Sequence, residues 1–303
     1  MYRNPYEALT EGAGKWFKAN FHAHATPDED NGRFSVSKVV DMYQEAGYQI
    51  LTVSMQNQFI DITDLGTSRE MLTISGIEYV EYDGILLVGI RSFLKGNPQL
   101  VIDDCVASGG FAVLCHPNWI TEEGLPRALT KPQMRELSRY SGIEILNPAI
   151  FNTYKGSGLA TELWDEFLSS GKLVWGFAND DFHTYSEFAR GWNMIYADRL
   201  DYGNVRDAVE RGSLYASCGL VLQEFSFAEG VVAVEANFAR TPAHDIEYKF
   251  VGDNGAILDR QVGRRAEYRL RGTERYVRVH ASSEGGTGLW TQPVFDEAGL
   301  TPT

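Results

Sequence analysis

The chain has 303 residues, 44% hydrophobic and 22% charged, which suits a globular protein with a sizeable core and no need of a disulfide staple. The formal net charge of −14 argues against a broad nucleic-acid interface, because an acidic surface repels phosphate backbones; a small anionic substrate stays admissible where a bound cation inverts the local charge. Cys105, Cys115 and Cys218 form no CxxC pair, and neither a signal-peptide core nor a membrane-length apolar run is evident, so a cytoplasmic protein with no membrane partner is expected.

Strand-like and helix-like segments alternate over the first two-thirds. Residues 18–24 (KANFHAH) read as a strand. Residues 35–47 follow as an amphipathic helix, with Ser35 or Ser37 as N-cap and Gly47 as its stop. Residues 48–54 (YQILTVS) and 84–90 (GILLVGI) read as buried strands, with Glu78 in the loop between them. Helix and strand then alternate through 97–109, 111–117, 131–140, 142–147, 159–172 and 173–180, and a helix over 204–212 ends at Gly212. Such alternation predicts a parallel sheet with right-handed crossovers, and this many units predicts a closed or nearly closed barrel.

The character changes after about residue 222. Segments 222–238, 245–262 and 266–282 read as β-hairpins turning at Glu229-Gly230, Asn254-Gly255 and Gly272-Thr273. The expected organisation is a domain over 1–222 and an all-β sandwich module over 223–303.

Six histidines are present. His22, His24, His116 and His183 fall at or just beyond strand ends, as do Glu78, Glu144 and Asp181. Barrels and open α/β sheets build their sites there. His22 and His24 are two apart on extended chain, so both imidazoles can face one ion. Imidazole with carboxylate suits zinc, manganese or iron. Asp180 rivals Asp181, and Glu81 rivals Glu78. Gln56 and Arg190 are candidate substrate-binding residues, Arg190 for an anionic group. Glu144 and Asn147 are candidates to support a ligand histidine. Cys115, one residue before His116 on a strand, is expected to face the opposite side as core packing. His244 and His280 are read as structural.

These motifs resemble the polymerase-and-histidinol-phosphatase (PHP) family. NFHAHAT resembles its first motif, GIEY before GILLVGI its glutamate motif, FAVLCHP its later histidine motif and ANDDFH its closing DxH. RGWNMIYAD, RGSLYASCG and LWTQPVF resemble the branch related to carbaryl hydrolase, which carries a C-terminal β-module. The resemblance implies an α/β fold, a distorted (β/α)7 barrel with a small C-terminal all-β sandwich. It implies a first cation on His22, His24, Glu78 and Asp181. Glu78 would bridge to a second ion completed by His116, with His183 at a third site or its edge. The implied activity is metal-dependent hydrolysis of a small phosphoester by activated water, with Asp181 or His183 as proton carrier.

Two departures stand out. Where the family has Thr-Asp-His, this chain reads Ser54-Met55-Gln56, and methionine is a poor ligand for hard or borderline cations. Near residue 84, where the family has a histidine, this chain has Asp83 and Gly84. One or two ions are therefore expected rather than three. A degenerate, non-catalytic ligand-binding domain and a hydrolase of a non-phosphate ester or carbamate stay open. An amidohydrolase barrel fits less well, since it needs a lysine at a strand end.

Overall fold

The computed structural model describes residues 1–27, 34–66, 70–80, 84–120, 129–153, 155–238 and 245–303. Glu81, Asp83 and His244, considered above, lie outside them.

A large mixed sheet of 15 strands organises the molecule. Its first strands are β1 (Lys15–Asn20), β2 (Ile50–Val53) and β3 (Leu72–Tyr79), followed by β4 (Ile85–Val88), β5 (Phe111–Leu114), β6 (Gly142–Leu146) and β7 (Trp175–Ala178). β2, β4, β5, β6 and β7 are buried along their whole length, as expected of strands covered on both faces. The connecting helices include α1 (Val36–Glu45), α2 (Pro98–Ala107), α3 (Lys131–Glu136) and α4 (Thr161–Ser169). Ser35 caps α1, accepting from Lys38 N, and Asn97 caps α2.

The sheet departs from the all-parallel arrangement expected. β1, β2 and β3 pair in parallel, as do β5, β6 and β7, but β4 is antiparallel to both β3 and β5. The segment between Tyr79 and Ile85 is too short for a crossover helix, which needs a dozen residues or more. Reversing β4 leaves β1, β2, β3, β5, β6 and β7 pointing the same way, so their C-terminal ends share one side of the molecule. On the other edge of β1 lies β8 (Trp192–Ala197), also antiparallel. Between β7 and β8 no ladder forms among the described residues. The Asn193 amide spans that seam instead, accepting from Ala178 N at 3.0 Å and donating to Ala178 O at 2.7 Å.

After helix α5 (Tyr202–Arg211), closed by Gly212 in the left-handed conformation, strand β9 (Leu214–Ser217) leads into the β-rich region. This region comprises β10 (Leu220–Ala228), β11 (Val231–Phe238), β12 (Ile246–Val251), β13 (Ile257–Gly263), β14 (Arg265–Arg269), β15 (Tyr276–Ser282), β16 (Gly288–Thr291) and β17 (Val294–Asp296). β10, β11 and β14 form a three-stranded sheet. β12, β13, β15, β16 and β17 belong to the large sheet, which β9 joins through β16. The hydrogen-bonded sheet thus crosses residue 222. Apolar residues of both sheets share one core with Tyr6 and Tyr215.

Turns at Glu229-Gly230 and Asn254-Gly255 close hairpins, with positive φ at all four residues. The third expected hairpin does not form. β14 pairs with β11 and β15 pairs with β12, β16 and β17, so Gly272-Thr273 lies on a connection between two sheets. No described helix is long and apolar enough to cross a membrane.

Candidate metal centre

The shared strand direction gathers the sequence-predicted residues. His22 and His24 follow β1, Glu78 lies near the end of β3, His116 follows β5, Glu144 is in β6, and Asp181 and His183 follow β7. His22, Glu78, His116 and Asp181 are at most 3% exposed and His24 is 8%. His116 and Asp181 both have positive φ, 30° and 50°, a conformation uncommon outside glycine that tends to occur at functional sites. Gly84 makes room beside them: a Cβ there would lie 2.9 Å from His116 Cε1.

Four potential ligand atoms face one another. His22 Nε2 and His24 Nε2 are 3.2 Å apart. Asp181 Oδ1 lies 3.1 Å from the first and 3.0 Å from the second. Glu78 Oε2 lies 3.8 Å from His22 Nε2 and 3.5 Å from His24 Nε2. A tetrahedral cation with bonds of about 2.0–2.1 Å has ligand–ligand edges of about 3.3–3.4 Å; the three edges among His22, His24 and Asp181 are slightly shorter than this, and Glu78 Oε2 stands further from His22 Nε2.

Supporting groups orient the ligand side chains. His22 Nδ1–H donates to Glu144 Oε1 at 2.9 Å, which turns the Nε2 lone pair toward the other ligands. Glu144 also accepts from Asn179 Nδ2 at 2.9 Å, Asn147 Nδ2 at 3.0 Å and His116 N at 2.8 Å. Asn147 Nδ2 reaches Asp181 Oδ2 at 3.2 Å. Glu78 Oε1 meets His116 Nε2 at 2.7 Å, whereas Glu78 Oε2 is buried with no hydrogen-bond partner. An unpartnered buried carboxylate oxygen is costly unless a cation or donor faces it. The donor set therefore fits a divalent ion.

Charge within the cluster is strongly polarised. Burial works against charge on His22, but Asp181 and Glu144 outweigh it and hold the imidazole pKa well above its ordinary value. Burial likewise opposes ionisation of Asp181 and Glu78; the neighbouring histidines prevail and keep both carboxyls below their usual range. His24 is shifted down, chiefly by burial.

Other candidates separate cleanly. Asp180 turns away from the cluster: its carboxylate accepts from Tyr43 OH and from the backbone of Ala189, Arg190 and Gly191, all at 2.8 Å. Burial raises its pKa to about 6 against these hydrogen bonds. His183 stacks on His24 at 4.1 Å, and its Nδ1–H donates to Asp181 O at 2.8 Å. Buried Glu187, which sequence reasoning missed, holds this loop by accepting from His183 N at 2.6 Å and Thr184 N at 2.7 Å.

A cavity of about 290 Å³ opens over the cluster, with His24, Phe34, Met55, Gln56, His183 and Thr184 in its walls. Gln56 stands at this rim, and Met55 Sδ accepts from Ala25 N at 3.2 Å. Arg190 is not brought to the cluster; its Nε donates to Ser186 O at 3.3 Å and its side chain lines a separate cleft.

Cys115 belongs to the apolar core as expected, but its sulfur also faces the cluster, contrary to the opposite-face reading. β5 ends at Leu114, so strand alternation no longer governs the next two residues, and Cys115 Sγ lies 3.9 Å from Glu78 Oε1. Burial, with Glu78 and Glu144 nearby, holds the thiol pKa well above its ordinary value.

No protein-family model matches the chain, and no curated protein matches it. Among solved structures it is similar to the 2.20 Å crystal structure of a two-domain protein containing a predicted PHP-like metal-dependent phosphoesterase, from Bacteroides vulgatus ATCC 8482. Identity is 13%, the match covers 88% of this chain and 91% of that one, and the TM-score is 0.53. The chain is thus a mixed α/β protein of PHP-like fold, with a buried histidine–carboxylate cluster compatible with metal binding.

Proposed function

We propose that the protein is a metal-dependent hydrolase of a small phosphoester, with one or two zinc, manganese or iron ions held at this cluster. One observation carries the reading: two imidazole Nε2 atoms 3.2 Å apart converge with Asp181 Oδ1, while buried Glu78 Oε2 faces them without a hydrogen bond. Such a convergence of imidazole and carboxylate atoms, with one buried oxygen unpartnered, suits a cation.

His22, His24, Asp181 and Glu78 would hold the first ion, and Glu78 would extend to a second beside His116. Bound ions supply Lewis-acid polarisation of the scissile group and lower the pKa of an attacking water. Glu144, fixed by Asn147 and Asn179, keeps His22 in its ligating tautomer. His183 donates through Nδ1, which leaves the Nε2 lone pair uncommitted to that bond, and its place in the cavity wall suits a proton carrier for the leaving group. Asp181 is the other candidate for that role.

A second reading, hydrolysis of a non-phosphate ester or carbamate, is favoured by the cavity lining, which includes no lysine or arginine among the described residues. Metal-replete protein assayed on p-nitrophenyl phosphate, bis-p-nitrophenyl phosphate, p-nitrophenyl acetate and a naphthyl carbamate separates the two. Chelator-sensitive turnover of a phosphoester, lost in Glu78→Ala, is expected. Turnover of the carboxylic or carbamic ester alone supports the second reading. Absence of turnover on all four would count against both and favour a non-catalytic metal-binding domain.

A further inference from the structure

We propose that Cys115 is a metal ligand, completing with Glu78 and His116 a second, sulfur-containing cation position beside the first. The proposal rests on the cation-binding reading of the cluster.

The argument begins with Glu78, whose two oxygens face different partners. Oε2 faces His22 Nε2 and His24 Nε2 at 3.8 and 3.5 Å. Oε1 faces His116 Nε2 at 2.7 Å and Cys115 Sγ at 3.9 Å. The potential ligand atoms of His22, Glu78, Cys115 and His116 all lie within 4.8 Å of one another. His22 Nε2 is committed to the first position, where His24 and Asp181 sit at 3.2 and 3.1 Å. Glu78 Oε1, His116 Nε2 and Cys115 Sγ remain as three different donors around one further point.

Cys105 shows what a packing cysteine looks like in this fold. Its Sγ faces only the carbonyl oxygens of Val88 and Phe111, at 3.8 and 3.5 Å, within the apolar core. Cys115 borders the same apolar core but in addition faces a carboxylate, Glu78, whose other oxygen is unpartnered. Charge also fits. Glu78, Glu144 and Asp181 with one thiolate carry four negative charges, matching two divalent cations. A coordinating thiol gives up its proton, which passes to solvent as the sulfur–metal bond forms. A soft thiolate favours zinc, cobalt or iron(II) over manganese and magnesium.

Cobalt(II) provides the test, because thiolate ligation gives it a near-ultraviolet charge-transfer band that oxygen and nitrogen ligands do not. Chelator-treated, dialysed full-length protein is titrated with cobalt(II) alone, followed by absorption and elemental analysis. Wild type is expected to take up two equivalents with the charge-transfer band. Cys115→Ser is expected to lose the band and one equivalent while keeping the visible ligand-field bands of the first site, which also shows that the variant is folded. Cobalt uptake by wild type without the band, or a band unchanged in Cys115→Ser, overturns the assignment and leaves the broader reading standing. Failure of wild type to bind cobalt at all overturns both.

Discussion

Two buried polar clusters stabilise this molecule in opposite ways. In the first, Asp165 on α4 accepts from Arg278 Nε at 2.8 Å, Arg278 Nη2 at 2.6 Å and Tyr276 OH at 2.9 Å. The Arg278 guanidinium lies 4.9 Å from the Trp164 ring centre. One cation meets one anion, and every contact to the carboxylate is donor against acceptor. In the second, at the strand ends, several potential metal ligands crowd together. Two imidazole Nε2 atoms are 3.2 Å apart and Glu78 Oε2 has no donor. In the first cluster protein atoms satisfy the Asp165 carboxylate and tie β15 to α4, although Arg278 Nη1 has no hydrogen-bond partner. The second gathers His22, His24 and His116 with Glu78, Glu144 and Asp181 in one buried space, and a cation is the partner proposed for it. The contrast is one salt-bridged pair against a crowd of potential ligands.

The comparison breaks most easily at Asp165. Asp165→Ala strands a buried guanidinium and is expected to cost about 3–5 kcal/mol. Denaturant unfolding reads the loss, while metal content per folded molecule should be unchanged. If metal is lost in proportion to stability, the two clusters are not independent.

A smaller effect comes from His280, which stacks on Trp290 at 5.0 Å. Burial, helped by Arg278 and Lys249, lowers its pKa from 6.5 to about 4. Between those values the unfolded chain binds the proton and the folded protein does not. The stability His280 contributes is therefore present above pH 6.5 and lost as pH falls through 4, by about 2 kcal/mol. His280→Gln should flatten that part of the stability–pH curve relative to wild type; an unaltered curve would refute this.

The gentlest probe touches neither charge pair. Glu144→Gln weakens the acceptor that holds His22 Nδ1–H and should lower cation affinity about 10–100-fold with the fold intact. Equal affinity in the variant would mean that Glu144 does not orient His22.

Much of this was legible in the sequence because the signals were local. The strand-like runs leading to His22, His116 and Asp181 place those residues at one end of a sheet. The strand Leu72–Tyr79 that carries Glu78 was read as a loop, so the reversal of β4 beside it went unseen. Pairing was harder. Residues 265–269 and 276–282 look like a hairpin, yet each strand finds its partners in a different sheet. Local turn propensity does not choose among distant partners. Core packing of Cys115 was legible, but its contact with Glu78 was not, because alternation was extended one residue past Leu114. Asn147 was singled out as a supporting residue from its place at the end of a strand, whereas the roles of Asn179 and Glu187 depend on contacts across the fold that no spacing reveals.

The central claim is that the second cluster is completed by a cation. Calorimetric titration of chelator-treated, dialysed protein with zinc, beside Asp181→Asn, tests it most directly. The account predicts saturable binding of at least one equivalent to wild type, weakened by more than about 100-fold in the variant. Wild type that binds no zinc, or a variant that binds it equally well, would contradict it.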